Sequence, residues 1–181
     1  KLTVILTTTG FVSQHIGSNS KKEIILLLSH LLLISGFISL LIIIFREQII
    51  MLSLDFMNAS NEVLLHSKIY LEYRIWSIPA IFLRDIIIGY YIGTQNIKAA
   101  IVVSITVNLL NIILDYYFIY ILHYSIEGVA IASLISEYSV IIFALYAIRS
   151  EGIFKNINIK IGEIFNWIMI KKKILINIDM F

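Results

Sequence analysis

Four long apolar runs set the rhythm of this chain: Ile24–Phe45, Ile75–Gly93, Ala99–Leu122 and Gly128–Ile148. Each is close to or above the roughly 20 residues that an α-helix needs to cross the hydrocarbon core of a bilayer. The pattern predicts an all-α fold, a polytopic transmembrane helical bundle. The links Thr94–Lys98 and His123–Glu127 are too short for anything but tight turns, so the helices on either side run antiparallel. Residues 46–74 mix apolar and charged positions and read as an external amphipathic connection, with short interfacial helices over Ile49–Met57 and Val63–Leu71. The chain opens on another apolar stretch, Leu2–Val12, too short to span and without the basic start or cleavage site of a signal peptide. Residues 1–14 therefore read as the end of a membrane helix, and the apolar tail Ile174–Phe181 as the start of one, which makes the chain a fragment of a longer protein.

Composition sharpens this reading. Apolar residues make up 59% and charged residues 14%, against about half and about a quarter in a soluble domain. Lipid is the solvent that such a surface requires. There is no cysteine, hence no disulfide or thiolate chemistry. The net charge of +2 matters less than its distribution. With the Gln14–Lys22 loop inside, the cytoplasmic face holds Lys21, Lys22, Lys98, Arg149, Lys155, Lys160 and Lys171–Lys173, while the outer face holds Arg46, Lys68 and Arg74. The positive-inside rule fixes this orientation. Tyr70, Tyr73, Trp76, Tyr116, Tyr117, Tyr120 and Tyr124 fit interfacial anchoring, mostly on the outer side. The basic stretch 149–173 is expected on the inner leaflet, where each basic residue gains about 1 kcal/mol from anionic lipid.

Ionisable residues inside the runs carry the candidate chemistry. Asp115 lies within an otherwise apolar segment, where a carboxylate costs about 2.5–3.5 kcal/mol on insertion scales. Asn108, Asn111 and Asp115 share one helical face at i, i+3 and i+7, and Ser133 and Glu137 form an i, i+4 pair on the next span. If those helices pack, the two faces enclose a wet polar pocket. There Asp115 can carry a proton, or it can join amide and hydroxyl oxygens around Na⁺, with Asp115 and Asn111 as the first ligands. The alternative is that these groups only glue helices together by hydrogen bonds. Arg84 and Asp85 are adjacent, so their side chains leave a helix about 100° apart and are not expected to pair face to face. Together with Glu137 they mark either a cavity and substrate path or an interhelical ion pair. His30 reads as a packed helix residue, and Pro79, the single proline, as a helix start or a kink. Gly89-x-x-x-Gly93 and the small residues Gly128, Ala130 and Ala132 permit close helix approach. No nucleotide-binding loop, zinc spacing or catalytic triad pattern is present, so neither an enzyme nor a nucleic-acid partner is expected.

Three runs of residues, taken in order, resemble one family. They are Ser77-Ile-Pro-Ala-Ile-Phe-Leu-Arg84-Asp85-Ile-Ile-Ile-Gly89-Tyr-Tyr-Ile-Gly93-Thr-Gln95, then Asn108-Leu-Leu-Asn111-Ile-Ile-Leu-Asp115, then Glu127-Gly128-Val-Ala-Ile-Ala-Ser133-Leu-Ile-Ser-Glu137-Tyr138. They are similar to the multidrug and toxic compound extrusion (MATE) transporters, in particular the branch of the bacterial DNA-damage-inducible protein F (DinF). Thr8-Thr-Gly10-Phe-Val-Ser-Gln14 with Gly17 resembles the end of that family's transmembrane helix 2. The resemblance implies two six-helix lobes related by a pseudo-two-fold. In that frame residues 1–14 end helix 2, and 24–45, 75–93, 99–122 and 128–148 are helices 3 to 6. Residues 149–181 are the interlobe segment and the start of helix 7. It implies that Asn111 and Asp115 occupy helix 5 positions concerned with cation or proton binding, and that Ser133 is a hydroxyl of the same site. Two points depart from the family pattern. The helix 1 carboxylate lies outside this chain, and Arg84 stands where DinF-type sequences more often carry a small polar residue.

The expected function is thus that of a piece of a secondary active antiporter in the bacterial inner membrane, exporting organic compounds in exchange for H⁺ or Na⁺. Its expected partners are membrane lipid, small organic substrates and the remaining helices of the parent, with no cofactor beyond the coupling ion. The alternatives are a lipid-linked precursor flippase or polysaccharide exporter of related fold, and a non-transporting remnant of a split gene.

Overall fold

A computed structural model of the chain describes residues 2–17, 20–150 and 161–164. Among the described residues every regular element is helical. The helices are α1 (Leu2–Gly17), α2 (Lys21–Ile44), α3 (Arg46–Asp55), α4 (Asn61–Arg74), α5 (Ile78–Gly93), α6 (Ile97–Tyr116), α7 (Ile126–Tyr138), α8 (Val140–Ser150) and the short α9 (Ile161–Ile164). Four segments among the described residues are long and apolar enough to cross a membrane: Lys21–Ile44, Asn61–Gly93, Ile97–Ile121 and Ile126–Ala147. Much of their apolar surface faces outward, as a lipid solvent requires. Phe37, Ile112 and Ile142 are 62%, 64% and 69% exposed.

The element boundaries differ from the sequence reading in instructive ways. The connection after α2 is not a pair of isolated interfacial helices. α4 passes through a 3-10 turn, Ile75–Ser77, straight into α5, giving one helical rod of 33 residues. At 1.5 Å per residue it is about 50 Å long, well beyond the ~30 Å hydrocarbon core. Pro79 sits in the first turn of α5, where a missing N–H is tolerated, so the chain continues there instead of breaking. The fourth apolar run is interrupted at Ser139. Ser136 Oγ donates to the Ser133 carbonyl at 2.9 Å and Ser139 Oγ to the Ser136 carbonyl at 2.6 Å. Such back-bonding by hydroxyls competes with the helical ladder and bends it. α6 starts on Asn96, whose side chain accepts from the Ala99 N–H at 3.2 Å, and ends in a single π-helical turn, Tyr117–Ile121. Gln95 and His123 take positive φ, 61° and 56°, in the two short links. The basic stretch 149–173 lies largely outside the described residues, as does the apolar tail.

α5 is the hub of the bundle. It packs on α1, α2, α6, α7 and α8. Its tightest contact is with α1. A Cβ added at Gly89 would lie 2.6 Å from Thr8 Cβ and 2.8 Å from the Ile5 carbonyl oxygen. One added at Gly93 would lie 2.6 Å from Val12 Cβ. The two glycines let the helix backbones meet directly, and Thr9 Oγ1 donates to the Gly89 carbonyl across the contact at 3.3 Å. A core of Ile87, Tyr91, Val103 and Val140 fills the space between α5, α6 and α8. Phe11, Val12, Ile24 and Leu27 do the same between α1 and α2.

Candidate functional site

The polar groups within the spans gather where α5, α6 and α7 meet. α7 serves two neighbours from one face, because Ser133 and Glu137 are one turn apart. Ser133 Oγ accepts from Asn111 Nδ2 of α6 at 3.3 Å. One turn below, Glu137 reaches α5: Arg84 Nη1 donates to its two carboxylate oxygens at 2.7 and 2.6 Å. Both partners are shielded, with side-chain exposures of 14% for Arg84 and 9% for Glu137.

Arg84 also turns back on its own neighbour. Its Nη2 lies 3.3 Å from Asp85 Oδ1. This corrects the expectation that the two adjacent residues would not pair. The Cβ directions do diverge, but the guanidinium is carried on a long flexible stem and presents a planar fork of donors. It can serve Glu137 with one edge and Asp85 with the other. One cation thus binds two carboxylates, and Asp85 is almost completely buried.

Asp115 stands one turn beyond Asn111 on α6. It is half-buried, and its Oδ1 is enclosed with no hydrogen-bond partner. Buried acceptors are nearly always satisfied, so such an oxygen calls for an explanation. Asn108 departs from the group. It is exposed, and with Arg84, Asp85, Ile88 and Ser104 it lines a cavity of about 200 Å³. The sequence-predicted residues therefore divide: Asn111 meets Ser133, with Asp115 one turn farther along α6, while Arg84, Asp85 and Asn108 line the cavity, with Glu137 tied to it through Arg84. Ser104 escaped the sequence reading, although it stands four residues before Asn108 and extends the same polar stripe. No cluster of three His, Cys, Asp or Glu side chains suited to a metal occurs among the described residues. A cation at Asp115 would have to draw on amide and hydroxyl oxygens, which a hard monovalent ion accepts.

The family model MatE matches residues 2–117. DNA damage-inducible protein F of Escherichia coli is 31% identical over 144 residues, which are 80% of this chain and 31% of that protein. Multidrug and toxin extrusion protein 1 of Danio rerio is 28% identical over 148 residues, 80% of this chain and 24% of that one. The chain thus spans about a third or less of these relatives. A solved structure, the inward-facing conformation of a multidrug resistance MATE family transporter of the MOP superfamily, superposes with a TM-score of 0.77. That match covers 96% of this chain and 39% of that one at 22% identity, and so speaks for the fold. The family model covers well over half of the sequence, and the fold agrees along nearly its whole length: the chain belongs to the MatE family.

Proposed function

We propose that this chain forms most of the N-terminal lobe of a multidrug antiporter, which exports organic compounds in exchange for H⁺ or Na⁺. The observation that carries the reading is the buried, unpartnered Oδ1 of Asp115, one helical turn along α6 from Asn111, whose side chain meets Ser133. A carboxylate oxygen that protein groups leave unsatisfied within a span is suited to a proton or a small cation that comes and goes. Asn111 and Ser133 supply oxygens for a hydrated Na⁺, and equally for a water that relays a proton. The inward gradient drives the cycle, with about 2.3 kcal/mol available per charge per 100 mV. The names of the curated relatives, multidrug and toxin extrusion, favour organic substrates over lipid-linked precursors.

Arg84, Asp85 and Asn108 line the path for substrate in this reading. Arg84 neutralises Glu137 and part of Asp85, so the path keeps a negative bias suited to organic cations. The lobe acts with the helices that complete the two-lobe transporter in the bacterial inner membrane. The test is export from vesicles by the full-length transporter carrying Asp115→Asn at matched expression. That substitution keeps shape and hydrogen bonding and removes the titratable charge. Gradient-driven export is expected to vanish while membrane insertion stays intact; undiminished export would assign Asp115 to packing.

A further inference from the structure

A charged cavity lies away from these residues. A hollow of about 520 Å³ opens between α3 and α4, lined by Arg46, Glu47, Lys68, Glu72 and Trp76 over the buried Ile50. Two cations and two carboxylates share it. Arg46 has its Cζ 5.8 Å from the centre of the Trp76 ring and its Nη2 3.9 Å from Glu47 Oε1. Lys68 and Glu72 are one turn apart on α4 yet form no ion pair with each other, and both remain exposed.

Its depth in the membrane follows from the long rod. Asn61–Gly93 exceeds the hydrocarbon core by about 20 Å, and its charged half is α4, so the α4 end emerges into the headgroup layer. Trp76 and Tyr73 at the cavity edge are the residues that favour this depth. Met51, also on the lining, is 62% exposed, and Leu52 beside it 59%, which gives acyl chains an apolar surface next to the polar hollow.

We propose that this hollow binds the headgroup of a zwitterionic phospholipid, with the phosphodiester on Arg46 and Lys68 and the ammonium on Glu47 and Glu72. Two carboxylates in the same space disfavour a purely anionic headgroup, and two cations disfavour a simple cation. A zwitterion satisfies all four charges. A volume of this order is that of an ordinary small-ligand pocket. The inference is independent of transport, because lipid retention reads it out.

The experiment is native mass spectrometry on the purified full chain, delipidated and titrated with phosphatidylethanolamine, phosphatidylcholine or phosphatidylglycerol. Both zwitterionic lipids are expected to bind about tenfold more tightly than the anionic one. The pair Arg46→Gln and Lys68→Gln is expected to weaken zwitterion binding. The pair Glu47→Gln and Glu72→Gln is expected to shift preference toward phosphatidylglycerol. Should a double variant fail to fold, Lys68→Gln and Glu72→Gln alone read the same opposite trends. Equal retention of all three lipids, or a preference that neither pair of substitutions moves, would overturn the proposal. Glycerophosphoethanolamine binding as tightly as the intact lipid would overturn the assignment to a lipid.

Discussion

Arg84 Nη1 holds both carboxylate oxygens of Glu137, at 2.7 and 2.6 Å, and so ties α5 to α7 with a single nitrogen. A contact this shielded behaves as a unit. Removing one partner leaves a charge without compensation, whereas removing both removes the need for it.

Glu137→Ala is therefore expected to cost about 3 kcal/mol, at the low end of the usual range for breaking a buried pair because Asp85 still serves the guanidinium. The double variant Arg84→Met with Glu137→Leu is expected to recover most of that loss. Thermal unfolding of the detergent-solubilised protein, read as a double-mutant cycle, measures both. Additive losses would show that the two side chains do not stabilise each other.

Gly89→Ala places its methyl against Thr8 Cβ and the Ile5 backbone, neither of which can yield. A loss of about 1–3 kcal/mol is expected from the overpacking. Gly36, within α2, has nothing within 4 Å of an added Cβ, so Gly36→Ala should be neutral or gain up to about 1 kcal/mol from helix propensity. The contrast between the two, measured by unfolding under identical conditions, separates packing from backbone entropy.

The Asn111–Ser133 contact predicts a modest structural effect. Ser133→Ala is expected to cost about 1 kcal/mol or less, in line with interhelical hydrogen bonds in membranes. On the proposed function, its effect on gradient-driven export by the full-length transporter is expected to be much larger than its effect on unfolding. Equal, small effects on both would reduce the serine to a packing role.

Orientation is open to a direct check. Cysteines introduced singly at Ser20 and Asn61 meet no native cysteine, since the chain has none. They are expected to react with an impermeant thiol reagent from opposite sides of the membrane. Reaction of both from the same side would refute the orientation drawn from the basic loops.

Much of this was readable from the residues alone. The apolar runs, the antiparallel short links and the close approach at Gly89 and Gly93 all follow from periodicity and side-chain size. So does the meeting of Asn111 with Ser133, since each lies on the polar stripe of its helix. What escaped has a geometric cause. Asn108 and Asn111 are three residues apart, which leaves about 60° between them on a helix of 3.6 residues per turn. That is enough for one to face α7 while the other faces the cavity beside α5. The double use of Arg84 was hidden because angular spacing describes Cβ directions and not the reach of a long side chain. The continuity of α4 with α5 was hidden because charged residues in α4 mask a helix that keeps going past the hydrocarbon. The break at Ser139 depends on hydroxyls turning inward to carbonyls, a choice that packing decides.

The seam between α1 and α5 has a mechanical meaning. Thr8 and Val12 sit over the bare backbone at Gly89 and Gly93, as teeth seat in notches. Sliding one helix along the other would drive those side chains into flanking groups such as Tyr90, which packs on the Phe11–Val12 cluster, and drawing them apart would open an empty slot. The two helices are thus a single two-ply strut. Any rocking of the lobe must carry them together, and the compliance needed for motion has to come from joints elsewhere, such as the serine-bent step between α7 and α8.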